Sequence, residues 1–114
     1  MSQAIRCGDW VIVSGQVALR EGKVVGVGDA AAQARQCFQN MEAALREADA
    51  TLAQVVNLRC YLTSKDAYSG YGAVKSELFS VQQPCSTAVI VAGLLLPDLL
   101  LEVEGYAFAP RHSG

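Results

Sequence analysis

Three stretches of the chain are continuously apolar where β-strands are expected. They are residues 11–13 (VIV), 89–91 (VIV) and 99–101 (LLL). A strand with one wet face alternates apolar and polar residues, so continuous runs predict a sheet that is covered on both faces. The chain has the apolar periodicity of only two helices, which can shield one face. We therefore predict that other copies of the same chain cover the second face, although loops and long side chains are an alternative.

Composition agrees with a small protein that associates with itself. The 114 residues predict a single domain over residues 1–114, and 52% of them are hydrophobic while 18% are charged. An ordinary soluble domain has about 25% charged residues. The net charge of -2 and the scattered basic residues predict neither a nucleic-acid nor a membrane partner. The sequence has no membrane-spanning apolar run and no signal-peptide pattern, so we predict a cytoplasmic protein.

The cysteines are isolated from one another along the chain. Cys7, Cys37, Cys60 and Cys85 have no CxxC spacing, and the single histidine, His112, lies in the polar tail. This spacing gives no support for a zinc site, and we predict no metal and no cofactor. Cys37 and Cys60 are predicted to be small buried hydrophobic residues rather than members of a disulfide framework.

The periodicity predicts strands followed by two alternations of strand and helix. Asp29 is a good N-cap for the first helix, and Thr63-Ser64 is expected to cap the second. The predicted strands cover 9–17, 22–28, 54–62, 86–92 and 99–108, and the predicted helices cover 30–49 and about 65–79. The expected buried stripes are Ala34, Phe38, Met41, Leu45 and Ala48 on the first helix, and Tyr68, Tyr71, Val74, Leu78 and Phe79 on the second.

Three longer stretches resemble the RidA/YjgF family of reactive-intermediate imine deaminases. They cover residues 2–17, 31–63 and 84–107, which is most of the chain. The most specific features are Ser-Gly-Gln after an apolar strand, Ala-Gln-x-Arg-Gln at the start of a helix, and Glu-x-Glu on the last strand. The resemblance implies an α+β, chorismate-mutase-like fold, with a mixed β-sheet and two helices packed on one face. It also implies a homotrimer with small-molecule clefts between neighbouring subunits.

The resemblance implies hydrolysis of imines or enamines to carbonyl compounds and ammonia without a cofactor. An imine carbon is already electrophilic, so a site of this kind must hold the substrate and place one water for attack. In the family an arginine binds the substrate carboxylate, because its planar donors fit two oxygens at once. A glutamate on the last strand handles the water, and a serine with nearby backbone lines the pocket.

Carried onto this chain, the family pattern is matched in part. Ser14 and the backbone of Gly15 match the pocket lining, and Glu102 matches the catalytic, water-handling carboxylate. The family motif Pro-x-Arg-Ser/Thr-x-Val occupies residues 84–89, so Ser86 stands at the arginine position and Thr87 follows it. Both are predicted to contact substrate. The tyrosine that closes the family's pocket aligns with Met1 and is absent.

Two further points follow from the altered motif. Lys75 aligns with a cleft-lining position and is the candidate replacement cation, with a solvated helix-face lysine as the alternative. Glu102 and Glu104 are two apart on a strand, so they share a face, and we expect at least one to have a raised pKa.

Two functional hypotheses therefore stay open. One is hydrolysis of an imine or enamine whose recognition does not depend on that arginine. The other is a non-catalytic trimer that binds ligands or acts like a chaperone. RNA cleavage, a third activity attributed to parts of the family, fits poorly with the negative net charge.

Overall fold

The computed structural model describes residues 2–111 as a five-stranded mixed sheet with two helices on one face. The elements are β1 (Ala4–Cys7), β2 (Trp10–Val17), β3 (Leu19–Arg20), β4 (Lys23–Val24), α1 (Ala30–Glu47), a 3-10 helix (Leu52–Gln54), β5 (Val55–Leu62), α2 (Asp66–Leu78), β6 (Cys85–Ile90) and β7 (Leu101–Phe108). The strand order is β1-β2-β7-β5-β6, in which only β5 and β6 are parallel, and β3 and β4 form a separate hairpin. The predicted α+β architecture is therefore confirmed.

The first helix begins and packs as predicted. The Asp29 carboxylate accepts a hydrogen bond from the Ala32 N–H at 3.0 Å, which satisfies one free donor of the first turn. Of the predicted stripe, Ala34, Phe38, Met41 and Leu45 are fully buried. The helix ends two residues before the predicted end, and Asp49 follows with a left-handed φ of 60° that ends the helical path.

The second helix differs from the prediction at its start and on its surface. Lys65 occupies the N-cap without a side-chain hydrogen bond, so the predicted capping by Thr63-Ser64 is wrong. The Thr63 hydroxyl instead donates to the Leu100 carbonyl at 3.3 Å, on the neighbouring β7 side. Its stripe is also narrower than predicted: Tyr71, Val74 and Phe79 are buried, whereas Tyr68 and Leu78 are exposed.

The strands differ most from the prediction at their ends. The strand β1 was not predicted, because a run of four residues is too short to carry a clear periodic signal. The expected strand at 22–28 is only the short β4, after which Gly26 and Gly28 take left-handed φ values of 73° and 76° in a turn. The strands predicted at 86–92 and 99–108 are the shorter β6 and β7.

The helices cover only one face of the sheet within a protomer. Val11 and Val13 are buried beneath the helices, while Ile12 between them is 44% exposed. We call the uncovered side the open face. Alternation and strand pairing assign to it Ile5, Trp10, Ile12, Val56, Arg59, Tyr61, Thr87, Val89, Glu102, Glu104, Tyr106 and Phe108. The predicted covering of both faces is thus not met by one copy of the chain.

The open face has a chemical division along the strands. One end, the apolar half, consists of Ile5, Trp10, Ile12, Val56 and Phe108, each at least 40% exposed. Within it the rings of Trp10 and Phe108 lie 5.1 Å apart. The other end, the polar half, consists of Arg59, Tyr61, Thr87, Glu102 and Glu104. An exposed apolar patch beside a polar one is typical of a surface that contacts a partner and also borders a site.

The four cysteines are free thiols, and two of them are buried as predicted. Burial raises the pKa of the Cys60 thiol to about 12, and it also raises that of Cys37, so both stay protonated and unreactive. Among residues 2–111, no three histidine, cysteine or acidic side chains are grouped to hold a metal ion. None of the helices in that range is long and apolar enough to cross a membrane. Met1 and His112 lie outside the described residues.

Candidate functional site

A β-bulge in β2 makes room for the carboxylate of Glu102. Val13 pairs with Gly105 and the next pair is Gln16 with Val103, so Ser14 and Gly15 interrupt the ladder. A Cβ atom on Gly15 would lie 2.3 Å from the Glu102 Oε2. The carboxylate therefore lies directly against the backbone of residue 15, where only glycine leaves this space.

A glutamine pair holds the bulge in place. The backbone N–H of Ser14 donates to the Gln3 carbonyl at 2.9 Å, and the Ser14 hydroxyl donates to the same oxygen at 3.2 Å. The buried Gln16 amide donates to the Gln3 Oε1 at 2.9 Å and to the Ser14 carbonyl at 3.0 Å. The sequence analysis did not find this arrangement, although the glutamine of Ser-Gly-Gln is its signal.

The two glutamates of β7 have different partners. The Tyr61 hydroxyl donates a short hydrogen bond to Glu104, and this bond raises the pKa of Tyr61. The pKa of Glu102 is also raised, mainly by partial burial and to a smaller extent by the negative charge of Glu104. The expectation of a shared face and a raised pKa is confirmed. Within residues 2–111 the Glu104 carboxylate is thus bonded to the phenol, whereas that of Glu102 accepts no side-chain hydrogen bond.

Ser86 and Thr87 lie on opposite faces of the sheet. Thr87 pairs with Arg59 on the open face, whereas Ser86 pairs with Leu58 on the face that carries the helices. Ser86 is nevertheless exposed, as is every residue of the edge strand β6. β6 is two strands from β7, which is about 10 Å at the usual strand spacing. Ser86 and Glu102 of one protomer therefore cannot contact the same small ligand, and a site that uses both needs two copies of the chain.

Ser86 lies beside an unsatisfied phenol. The Tyr71 hydroxyl is buried and has no hydrogen-bond partner within residues 2–111. Burial raises the pKa of Tyr71, and the nearby Ser86 hydroxyl acts in the opposite direction.

Lys75 lies away from the carboxylates. It is half-buried near the end of α2, in the helix layer on the covered side of the sheet. The structure therefore does not bring Lys75 together with Glu102 in one protomer. Its role as a substrate-binding cation stays a prediction that depends on a neighbouring copy.

Comparison with known proteins gives a consistent result over most of the chain. Residues 1–109 match the family model described as Endoribonuclease L-PSP. The chain is 34% identical over 105 residues to the 3-aminoacrylate deaminase RutC of Acinetobacter baylyi, covering 91% of this chain and 82% of that protein. It is 30% identical over 103 residues to the mitochondrial protein MMF1 of Saccharomyces cerevisiae, covering 90% and 71%.

A solved structure agrees with the sequence matches. A member of the YjgF/YER057c/UK114 family from Mycobacterium tuberculosis superposes with a TM-score of 0.83 at 34% identity, covering 94% of this chain and 85% of that one. The two helices on a mixed sheet are the chorismate-mutase-like fold of these proteins. With the match over residues 1–109, the chain belongs to the RidA/YjgF family.

Proposed function

We propose that the protein hydrolyses imines or enamines to carbonyl compounds and ammonia, with Glu102 handling the water. The observation that carries this proposal is the Glu102 carboxylate held over Gly15, which has a raised pKa and accepts no side-chain hydrogen bond from residues 2–111. The similarity to a protein named 3-aminoacrylate deaminase supports the same chemistry. A carboxyl with a raised pKa accepts a proton from water more readily than an ordinary one does.

The proposed reaction needs one base and no cofactor. An enamine first takes a proton at carbon and loses one from nitrogen, and so becomes its imine. The Glu102 carboxylate then accepts a proton from water as the water oxygen bonds to the imine carbon. The protonated Glu102 returns this proton to the nitrogen, which gives the carbinolamine. The Glu102 carboxylate then takes the hydroxyl proton and passes it to the nitrogen as the carbon–nitrogen bond breaks, so that ammonia leaves and the carbonyl forms.

We propose a homotrimer in which the apolar half of the open face is the subunit contact. Burying side chains such as Ile12 and Trp10, which are 44% and 47% exposed in one protomer, is favourable at about 25 cal/mol for each Å² of apolar surface. The polar half then borders the cleft, and Ser86 would enter that cleft from a neighbouring subunit. This arrangement joins the groups that one protomer holds on opposite faces.

The charge of the site favours a small molecule over RNA. The polar half carries Glu102 and Glu104 against the single cation Arg59, and the net charge of the chain is -2. Phosphate backbones are bound by clusters of Lys and Arg, which this surface lacks within the described residues. The four free cysteines suit a reducing compartment, so the cytoplasm is the location we propose.

Turnover of freshly generated imines tests the proposed function. An amino-acid oxidase produces 2-iminopropionate in the presence of semicarbazide, and hydrolysis by the protein lowers the amount of semicarbazone. We expect a rate above buffer that is proportional to protein concentration. No rate with acidic or neutral imines, together with a ligand-induced rise in Tm, would favour the ligand-binding alternative.

A charge in the apolar half is expected to dissociate the trimer. Ile12→Asp places a carboxylate among apolar side chains, and an unpaired buried charge costs several kcal/mol. We expect sedimentation at micromolar concentration to change from a trimer to a monomer, with loss of imine turnover.

The matched control for this prediction is Val27→Asp. Val27 is 63% exposed in the turn after β4, away from the sheet. We expect Val27→Asp to leave the trimer intact. A wild-type chain that sediments as a folded monomer would contradict the proposed assembly.

A further inference from the structure

The open face has one guanidinium, that of Arg59, and it has no anionic partner. Arg59 lies in β5 with an exposed side chain. The ion pairs of residues 2–111 involve Arg35, Arg46 and Arg111, and the Arg6 guanidinium donates to backbone carbonyls. Arg59 takes part in none of these contacts. Its charge is therefore available to an anion that is not part of the protomer.

The expected partner of Arg59 within the sheet is already engaged. Arg59 lies directly opposite Glu104 in the antiparallel register. The Glu104 carboxylate instead accepts the hydrogen bond of Tyr61, and no contact within 4.0 Å joins it to Arg59. The carboxylate is therefore hydrogen-bonded to the phenol and makes no ion pair with the guanidinium.

Arg59 is also placed beside the groups that the reaction needs. Thr87 is its neighbour on β6, so a hydroxyl donor lies on the same face. Glu102 lies opposite Tyr61, two residues along β5 from Arg59. Such diagonal positions are about 7–8 Å apart between Cα atoms, which the long Arg and Glu side chains can span.

We propose that Arg59 binds the carboxylate of a small 2-imino acid, with the Thr87 hydroxyl as a second donor. This inference rests on the proposed imine hydrolysis and adds to it a residue that determines substrate specificity. It moves the carboxylate-binding role from position 86, which holds a serine, to the adjacent strand. A fork of two N–H donors fits a carboxylate in two parallel hydrogen bonds, which a single serine hydroxyl cannot supply.

The geometry of a 2-imino acid agrees with these positions. Its carboxylate carbon is bonded directly to the imine carbon. Binding of the carboxylate at Arg59 therefore also determines the position of the imine carbon, which is the reacting atom. An attacking water must lie about 3–3.5 Å from that carbon. The Glu102 carboxylate lies against Gly15 on β2, across β7 from Arg59, so the Arg59 side chain must extend over β7 to bring the imine carbon to a water held there.

Binding of pyruvate, compared with its neutral amide, tests the proposal without requiring turnover. Pyruvate has the carboxylate of a 2-imino acid and pyruvamide lacks the charge, and both can be titrated by NMR on the full chain. We expect wild type to prefer pyruvate. Arg59→Gln should raise the Kd for pyruvate at least tenfold and leave pyruvamide binding within twofold, while Arg59→Lys should fall between.

The matched control is Arg20→Gln, because Arg20 is exposed in the separate β3–β4 hairpin. It should bind pyruvate as wild type does. A wild type that does not prefer pyruvate, or an Arg59→Gln variant that still does, would overturn the proposal even if imine turnover stands. Loss of pyruvate binding in Arg59→Gln without any wild-type turnover would refute the proposed function and keep Arg59 as an anion-binding residue.

Sedimentation of each variant separates binding from assembly. Arg59→Gln and Arg59→Lys should both keep the assembly state of wild type, since Arg59 lies in the polar half. If both variants lose assembly and pyruvate binding together, Arg59 belongs to the subunit contact and the proposal is overturned.

Discussion

Glu102→Gln is expected to lower the turnover of 2-iminopropionate by about 10²–10⁴-fold, the usual contribution of a positioned general base. Glutamine keeps the size of the side chain and its place over Gly15, but it cannot accept a proton from water. The loss should fall on kcat rather than KM, because the proposed contact with substrate carboxylate is made elsewhere, by Arg59. Steady-state kinetics with oxidase-generated imine measures both constants.

The pH profile distinguishes a catalytic Glu102 from a structural one. The pKa of Glu102 is raised by burial and by Glu104, so wild-type activity should fall on acidification at a pH above the ordinary glutamate range. Glu104→Gln removes the neighbouring charge and should move this acidic limb to lower pH while activity remains. Turnover of Glu102→Gln within twofold of wild type would remove Glu102 from the mechanism.

The free energy of unfolding of Glu102→Gln shows whether the variant is folded. The raised pKa of Glu102 determines in which direction the substitution changes that free energy. A carboxyl whose pKa is raised in the folded state favours folding fully below its unfolded pKa, near 4.5, and loses that contribution as the pH rises through the folded value. Glutamine cannot ionise. Glu102→Gln should therefore be at least as stable as wild type at pH 7, and the difference should shrink as the pH approaches 4.

The helix layer was predictable because its residues follow a local rule. The capping carboxylate of Asp29 and the three-and-four spacing from Ala34 to Leu45 act within one element, so the sequence specifies them directly. The capping of α2 was not predictable in this way. Thr63 donates to Leu100, which is distant in sequence, and that tertiary contact replaces the local cap.

The candidate site was only half predictable for a related reason. Glu102 and Gly15 carry motif positions, and the structure puts them in contact across β2 and β7. Arg59 carries no motif, and the strand predicted over 54–62 gave no reason to single it out. The strand register places Arg59 beside Thr87 and two residues before Tyr61, which pairs with Glu102. This register depends on pairing between strands that are distant in sequence, so the local sequence does not reveal it.

The continuous apolar runs led to one correct and one incorrect prediction. Two helices do cover only one face of the sheet, as the sequence predicts. Residues 99–101, however, lie mostly before β7 begins, and Leu99 is buried in the core of a single protomer. The alternation of Val11, Ile12 and Val13 leaves only Ile12 for a partner copy to cover.

Gly15→Ala is expected to reduce imine turnover by about 10²-fold with little change in stability, because small misplacements of a reacting group have effects of that size. The new Cβ would lie 2.3 Å from the Glu102 Oε2, so the carboxylate must move. Gly15 does not have a left-handed φ, so alanine is tolerated by the backbone. The contact is with the end of a flexible side chain, so it disturbs the carboxylate and leaves the sheet intact.

A second substitution separates this displacement from a general loss of structure. Glu102→Asp shortens the side chain by one methylene, so the Gly15→Ala, Glu102→Asp double variant withdraws the carboxylate from the new Cβ. Because the two positions are in contact, the effects of the two substitutions should not be additive in free energy. The double variant should lose less activity than the product of the fold-losses measured for the two single variants. Gly72→Ala is the matched control, because its Cβ would meet only Tyr68 at 3.9 Å in α2. Equal turnover in Gly15→Ala and wild type would mean that the carboxylate does not act from its place over residue 15.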